Sequence, residues 1–230
     1  MTEPRRVAMI SGANRGIGAA IAQQLAESGW RLSLGIRSPA RVALYPGALT
    51  QKFDALGGVE GEWVAATVAR FGRLDAVINN AGIMIPKSII EADDEDLTTL
   101  FRVNVQSPLR LVRAAWPHLA ASGCGRVVTV ASLSGKRVKS AKSSLYALTK
   151  FAAVALSHGI RQCGWDAGIR ATAICPGFVA TDMARGLANI PAAAMTQPGD
   201  IARLVGLLLD LPNTANVAEL AINAQLEESF

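Results

Sequence analysis

Val7-Ala8-Met9-Ile10-Ser11-Gly12-Ala13-Asn14-Arg15-Gly16-Ile17-Gly18 is the stretch on which the architecture hangs. Four apolar residues without a charge read as a short buried strand. Glycines follow at 12, 16 and 18, and then Ile17, Ile21 and Leu25 recur at helical spacing as far as Ser28-Gly29, where Gly29 offers a stop. A strand, a Gly-rich turn and a helix in that order suit a phosphate. One glycine permits the tight turn, one lets the main chain approach a pyrophosphate, and one lets helix pack on strand. The free N–H groups and positive end of the helix then face the phosphates. The spacing is G-x-x-x-G-x-G, not the G-x-G-x-x-G of the usual dinucleotide fingerprint.

Outward from this unit the same alternation continues. Strand-like runs fall at 31–36, at 48–53 ending on Asp54, at 74–78 leading into Asn79-Asn80-Ala81-Gly82, at 126–131, at 169–175 ending on Pro176-Gly177, and at 217–222. Helical patterns cover 60–71, 93–119 (interrupted by Pro108 and closed by the Gly123–Gly125 turn), 144–159 and 201–211. Pro39, Pro46 and Gly47 punctuate the stretch after the second strand, so a helix there is short or broken. The strands look too apolar to leave a wet face. The expectation is an α/β fold: a single doubly wound, Rossmann-type domain over residues 1–230, with a mostly parallel seven-stranded sheet flanked by helices.

Composition closes off other classes. Of 230 residues, 50% are hydrophobic and 18% charged, enough for a core and too apolar for a disordered chain. Aromatics are only 5%, so the core is built from Ala, Val, Ile and Leu. The net charge of +5 reads as spread along the chain, without the stacking aromatics that accompany nucleic-acid binding. No apolar run approaches the roughly 20 residues that span a bilayer. Cys124, Cys163 and Cys175 lack metal-ligand spacing and are odd in number. The expectations are no metal, no membrane, no nucleic acid, and a reduced, cytoplasmic setting.

Ser11–Gly18, Asn79-Asn80-Ala81-Gly82, Tyr146-Ala147-Leu148-Thr149-Lys150, and Pro176-Gly177 followed by Thr181 stand in an order that resembles the short-chain dehydrogenase/reductase family. Tyr146 and Lys150 are four residues apart and share a helix face. Reducing a carbonyl leaves an alkoxide that needs a proton, and a tyrosine with an ordinary pKa of about 10 is a poor base near neutrality. A neighbouring ammonium favours the phenolate. The resemblance implies that Tyr146 is the general acid/base and that Lys150 lowers its pKa and holds the nicotinamide ribose. It implies that Ser132 polarises the substrate oxygen, because Ser132-Leu133-Ser134-Gly135 matches the family's pattern at the strand end; Ser134 then serves the turn. Asn104, in Val103-Asn104-Val105, matches the fourth catalytic residue, which holds a water linked to the lysine. Three residues between tyrosine and lysine resemble the carbonyl and alcohol oxidoreductases rather than the enoyl reductases.

The cofactor the resemblance implies is NADP(H) rather than NAD(H). NAD-preferring members carry an acid at the end of the second strand, where this chain has Gly35-Ile36-Arg37. Arg37 can fork onto a 2′-phosphate, with Arg15 a second cation on that side. The implied binding set is Ser11, Gly12, Asn14, Arg15, Gly16, Ile17 and Gly18 at the phosphates. Arg37, Asp54 and Ala55 lie by the adenosine, Asn80, Ala81 and Gly82 at the middle, and Tyr146, Lys150, Pro176, Gly177, Val179 and Thr181 by the nicotinamide.

Residues 183–197, which lid the substrate in this family, are Ala-rich with Leu187, Ile190 and Met195, and suggest a small or medium, partly apolar carbonyl or alcohol substrate. Family members are homodimers or homotetramers built on the long helices, and the apolar faces at 109–119 and 151–160 are compatible. Rival readings are a reductase of 3-oxoacyl chains on a carrier protein and a non-catalytic NADP-binding regulator, a type that typically loses the tyrosine or lysine. Lys136, Arg137, Lys139 and Lys142 crowd the linker between Ser132 and Tyr146 with no acid among them. They either draw anionic substrates, or form a solvated loop or one that pairs with acids across a subunit interface.

Overall fold

The structure, a computed structural model, describes residues 5–38, 45–185, 187 and 190–227. Seven parallel strands run in the order β3-β2-β1-β4-β5-β6-β7. They are β1 (Val7–Ser11), β2 (Arg31–Ile36), β3 (Leu49–Lys52), β4 (Ala76–Asn79), β5 (Arg126–Val130), β6 (Arg170–Pro176) and β7 (Glu219–Ile222). The helices are α1 (Gly16–Glu27), α2 (Glu60–Phe71), α3 (Asp94–Phe101), α4 (Ser107–Ala121), α5 (Ser144–Gly164) and α6 (Pro198–Asp210). The order reverses at β1, which pairs with β2 on one side and β4 on the other. A crevice therefore opens beyond the carboxyl ends of these strands.

Alternation along β1 explains the two layers. Ala8 and Ile10 pack with Ile21, Leu25, Ile201 and Val205 of α1 and α6. Val7 and Met9 point the other way, into a core with Trp63, Leu111, Ala115 and Ile160 of α2, α4 and α5. Five consecutive buried residues need apolar cover on both faces, and two helical layers supply it. At the amino end of β1, the buried Asp75 carboxylate accepts the Val7 N–H at 2.8 Å and bonds from Arg73 Nε and Nη2, tying β1 to β4.

Four expectations are corrected. The sheet's edge strands are partly wet: β3 alternates half-buried and exposed residues, and β7 is nowhere fully buried. The pattern at 93–119 does not end at Pro108, which follows directly on helical residues and withholds one N–H from the carbonyls of the preceding turn. It opens instead into a single π turn, Arg102–Gln106, centred on Asn104. Two valines and an asparagine are weak helix formers, and Asn104 has bonds elsewhere, described below. Third, α5 runs to Gly164 and α6 begins at Pro198. Finally, arginines are not evenly spread: Arg31, Arg126 and Arg170 begin β2, β5 and β6, and Arg5, Arg6 and Arg73 precede β1 and β4, with Arg6 paired to Asp210 and Arg73 to Asp75. Pro39, and with it most of the stretch expected to hold a short or broken helix, lies outside the described residues.

Candidate active site

The parallel sheet gathers at its carboxyl edge what the sequence scatters. Gly12 follows β1, Arg37 follows β2, Asn80 follows β4 and Gly177 follows β6, while Asp54 and Ser132 stand two residues beyond β3 and β5. A cavity of about 350 Å³ opens at the opposite edge, lined by Arg5, Arg31, Arg70, Trp30 and Tyr45 among others; none of the motif residues borders it.

The glycine loop is held by the β4 turn. Gly12 and Gly16 adopt φ of +68° and +54°, backbone that side chains other than glycine's resist. The Asn80 amide donates to the carbonyls of Ser11 (2.9 Å) and Gly12 (3.1 Å). Ser11 is buried, and its hydroxyl accepts the Asn80 and Ala81 N–H groups at 3.0 Å each while donating to Ile78. Ser11 and the Asn80 side chain thus shape the loop from beneath. A Cβ on Gly18 would lie 2.3 Å from the Gly12 carbonyl oxygen, so α1 approaches the loop at a distance only glycine allows. Partly buried Ile17 joins the core beside α1. The first turn of α1 carries no acid and no side-chain cap, whereas α3 is closed by a reciprocal Asp93–Asp96 capping box. Asn14, half-buried, lies in the loop that α1 leaves open.

At the adenosine side, Arg37 is exposed and has no ion pair among the described residues. Asp54 turns the chain after β3, its carboxylate accepting the Leu56 N–H at 3.0 Å. Ala55 is buried, and its carbonyl is held by Arg110, which also grips Glu60 through two bonds. Arg15 differs from expectation: it pairs at 3.3 Å with Asp182, which also binds Arg185. Gly16 faces Thr181, whose Cγ2 would sit 3.1 Å from an added Cβ. The segment after β6, with Val179 buried and bridged to Thr196, therefore folds back over the glycine loop.

Tyr146 and Lys150 lie on one face of α5, both nine-tenths buried, with the lysine Nζ 5.5 Å from the ring centre. Lys150 Nζ donates to the Val130 carbonyl at 3.0 Å, at the end of β5. The Ser132 side chain lies close enough to the Tyr146 hydroxyl to lower its pKa. The Ser132 Oγ accepts the Ser134 N–H at 3.0 Å and donates to the Pro176 carbonyl at 3.4 Å, so Ser134 contributes its backbone to the turn. Gly82 stands against both Lys150 and Asn104: an added Cβ would be 3.6 Å from the lysine Nζ and 3.2 Å from Asn104 Oδ1.

Asn104 has three side-chain bonds within the chain. Its Oδ1 accepts the Ile83 N–H at 2.9 Å, and its Nδ2 donates to the Ile83 carbonyl and to Thr149 Oγ1, each at 3.0 Å. Thr149 in turn donates to the Tyr146 carbonyl at 2.9 Å. The π turn is thereby fastened to α5 between tyrosine and lysine. Thr149, fully buried, is a member of the site that the sequence reading passed over, although it stands inside the quoted Tyr-to-Lys motif.

Burial governs both titrating groups. It pushes the Tyr146 phenol well above its ordinary value, opposed only by Ser132, and pulls Lys150 down to about 8. Burial is the dominant influence on the phenol of the ligand-free protein, with the Lys150 ammonium 5.5 Å from the ring centre. Beneath them, burial also raises the Cys175 thiol to about 11.

The basic linker resolves differently from either reading. Lys136 pairs with Glu219 at 2.5 Å, and Arg137 and Lys139 both pair with Glu227, all within the same chain. Three of its four cations are committed to carboxylates about 80 or more residues away in sequence, which no local pattern reveals.

Known proteins match this arrangement. The short chain dehydrogenase family model matches residues 6–190. The chain is 39% identical over 218 residues to an agropine synthesis reductase of Rhizobium rhizogenes, covering 92% of this chain and 50% of that protein; it spans about half the length of that relative. An uncharacterized oxidoreductase of Staphylococcus saprophyticus is 30% identical, with 94% of this chain and 96% of the relative covered. Among solved structures, an alcohol dehydrogenase from the archaeon Thermococcus sibiricus complexed with 5-hydroxy-NADP superposes with a TM-score of 0.86 at 29% identity, covering 97% of this chain and 99% of that one. A short chain dehydrogenase from Burkholderia cenocepacia in complex with NADP gives 0.86 at 29%, covering 96% and 97%. With the glycine loop, the Asn80 tie and the buried tyrosine–lysine pair on one sheet edge, the chain belongs to the short chain dehydrogenase family of oxidoreductases.

Proposed function

We propose that this chain is an NADP(H)-dependent oxidoreductase, acting as one dinucleotide-binding domain, that moves a hydride between nicotinamide and the carbonyl or secondary alcohol carbon of a small or medium, partly apolar substrate. The observation that carries the proposal is the meeting of Ser132, Tyr146 and Lys150 beside Gly82 at the carboxyl edge, next to a helix whose first turn is uncapped.

The chain's residues fit such a cofactor. Gly12, Gly16 and Gly18 make a cradle that any Cβ would fill, and the open N–H groups of α1 suit a pyrophosphate. Arg37, exposed and without an acid at the strand end, suits a 2′-phosphate. The two solved structures named above, complexed with 5-hydroxy-NADP and with NADP, support the same choice. When bound, the reduced nicotinamide would supply the hydride.

The remaining chemistry falls to side chains. Burial holds Tyr146 as the neutral phenol, ready to give its proton to an oxygen becoming an alkoxide. Ser132 receives the Ser134 N–H on its oxygen, and its own proton, which rests on the Pro176 carbonyl at 3.4 Å in the ligand-free protein, would turn to the substrate oxygen. Lys150, held by Val130, lies beside the ring where its charge favours the phenolate once the proton has gone. Asn104, with Thr149, positions α5 and the β4 turn beside Lys150, where the residue would hold a water linked to the lysine. The apolar surface of Met183 and Leu187, both over a third exposed, suits an apolar flank on the substrate. Half-exposed Leu148 and Phe151 on α5, with Leu109 on α4, suit a homodimer or homotetramer contact. Three free thiols are in keeping with a reduced, cytoplasmic setting.

The carrier-protein reading loses support, because the linker cations that would attract an acidic carrier are paired internally. The regulator reading has no missing catalytic group to recommend it. The test is NADPH oxidation against ketones, aldehydes and 3-oxoacyl thioesters, with Tyr146→Phe alongside. The variant should lose about 10²–10⁴ in turnover, the range for a general acid, while binding NADPH normally. Turnover of any ketone at the wild-type rate by Tyr146→Phe would remove the tyrosine from this role.

A further inference from the structure

The chain from β7 to Glu227 forms a strap across the two turns that flank Ser132. On one flank lies the linker that leaves β5. It contains only two single turns of 3₁₀ helix, Leu133–Gly135 and Ala141–Ser143, before α5 begins. Its first part hangs on Ser132 itself: Ser134 N–H donates to the Ser132 Oγ, Gly135 N–H to the Ser132 carbonyl, and Lys136 and Arg137 N–H to the Leu133 carbonyl. Side chains fasten this part from outside. Glu227 accepts Arg137 Nε at 2.6 Å and its Nη2, Lys139 Nζ at 3.0 Å and Asn223 Nδ2 at 3.1 Å. Glu219 accepts Lys136 Nζ at 2.5 Å and meets His158 Nε2 of α5 at 2.6 Å.

On the other flank lies the Pro176-Gly177 turn. Its Pro176 carbonyl accepts the Ser132 hydroxyl, and its Gly177 N–H donates to Ile222 at 2.7 Å. Asn223 packs so closely there that a Cβ on Gly177 would lie 2.7 Å from its Oδ1. The same Asn223 donates to Glu227. One segment therefore grips the donor side and the acceptor side of a single hydroxyl.

We infer that Glu227, seconded by Glu219, is a positioning residue for Ser132, holding the 133–139 linker so that the serine hydroxyl keeps its aim. The inference rests on the role of Ser132 proposed above. An isolated exposed ion pair contributes little, but Glu227 gathers charge-assisted donors from three side chains while only 17% exposed, and it is clamping a segment with little regular structure of its own. Arg137 couples the clamp to the site by the shortest route: its side chain binds Glu227, and its own N–H binds the residue after Ser132.

Glu227→Gln keeps the shape and removes the charge. In the ligand-free protein, amide exchange at Ser134, Lys136 and Arg137 should quicken by about tenfold, while β1 and α1 stay as in wild type. In turnover, kcat should fall by about 10-fold with NADPH affinity unchanged, and Glu227→Asp should recover part of it. The decisive arm is the double variant. Once Ser132 is Ala there is no hydroxyl left to aim, so Ser132→Ala/Glu227→Gln should be no slower than Ser132→Ala alone. Arg137→Gln removes the same pair from the other side and should reproduce the exchange pattern, which covers the case that Glu227→Gln folds poorly. Wild-type exchange and kcat in Glu227→Gln, or effects that simply multiply in the double variant, would overturn the inference. An inactive Tyr146→Phe beside a normal Glu227→Gln sinks only this inference. A fully active Tyr146→Phe sinks the catalytic reading instead.

Discussion

The glycine loop after β1 and the linker after β5 are alike in position and opposite in condition. Both leave a buried strand and lead to a helix that carries site residues, and both contain basic side chains. The loop is finished from below by Ser11 and Asn80, while the first turn of α1 above it is left without cap or acid. The linker is finished from outside: Lys136, Arg137 and Lys139 are each claimed by a carboxylate. A cation beside a site says little until its partner is known. Arg15 makes the point within the loop itself, since its guanidinium already leans on Asp182, whereas Arg37 has no ion pair among the described residues.

The largest effect that sharpens this contrast concerns the two serines of the linker turn. Ser132→Ala should lower kcat by about 10²–10³, the scale for losing one donor to a developing oxyanion. Ser134→Ala should change it less than about threefold, because Ser134 contributes a backbone N–H that alanine keeps. A reversed ranking in steady-state kinetics would exchange their roles. Next comes the loop side. Arg37→Ala should weaken NADPH binding by about 1.5–3 kcal/mol and leave NADH nearly untouched, as charge-assisted bonds to a 2′-phosphate require. Arg15→Ala should weaken NADPH by less, because the wild-type side chain must first leave Asp182. Titration calorimetry with both cofactors decides; equal losses for NADPH and NADH in Arg37→Ala would break the comparison.

A third prediction follows from burial at the catalytic pair. Below about 8 Lys150 is charged, and above it the charge is lost, while Tyr146 stays protonated throughout. Carbonyl reduction should therefore hold its rate up to about pH 8 and decline beyond it. A kcat/KM profile still flat at pH 9.5 would separate the lysine charge from turnover.

The smallest effect is on stability. Lys150 has a folded pKa below its unfolded one, so the unfolded chain binds more protons between about 8 and 10.5, and stability contributed here rises with pH across that window. At neutral pH the buried charge costs the folded state roughly 3 kcal/mol relative to an exposed lysine. Lys150→Met should accordingly raise the melting temperature by about 2–8 °C while ending turnover. The loss of the donor to Val130 offsets part of the gain. A lowered melting temperature would mean that this bond outweighs the desolvation.

By itself the sequence determined the seven strands, their alternation with helices, and the residues at the end of each strand. These follow from local rules: apolar runs, glycines where a tight turn or close approach is needed, and helical spacing that puts Tyr146 and Lys150 on one face. Tertiary structure decided how those residues are used. Val103-Asn104-Val105 cannot announce a π turn, because the bonds that favour it come from Ile83 and Thr149, 21 and 45 residues from Asn104. The order of ionisation of Tyr146 and Lys150 depends on burial, which spacing does not encode. The condition of the basic linker depends on Glu219 and Glu227, which meet it only once β7 has paired with β6. Local geometry is written in neighbouring residues, but desolvation and charge pairing are set by whichever distant segment the fold brings alongside.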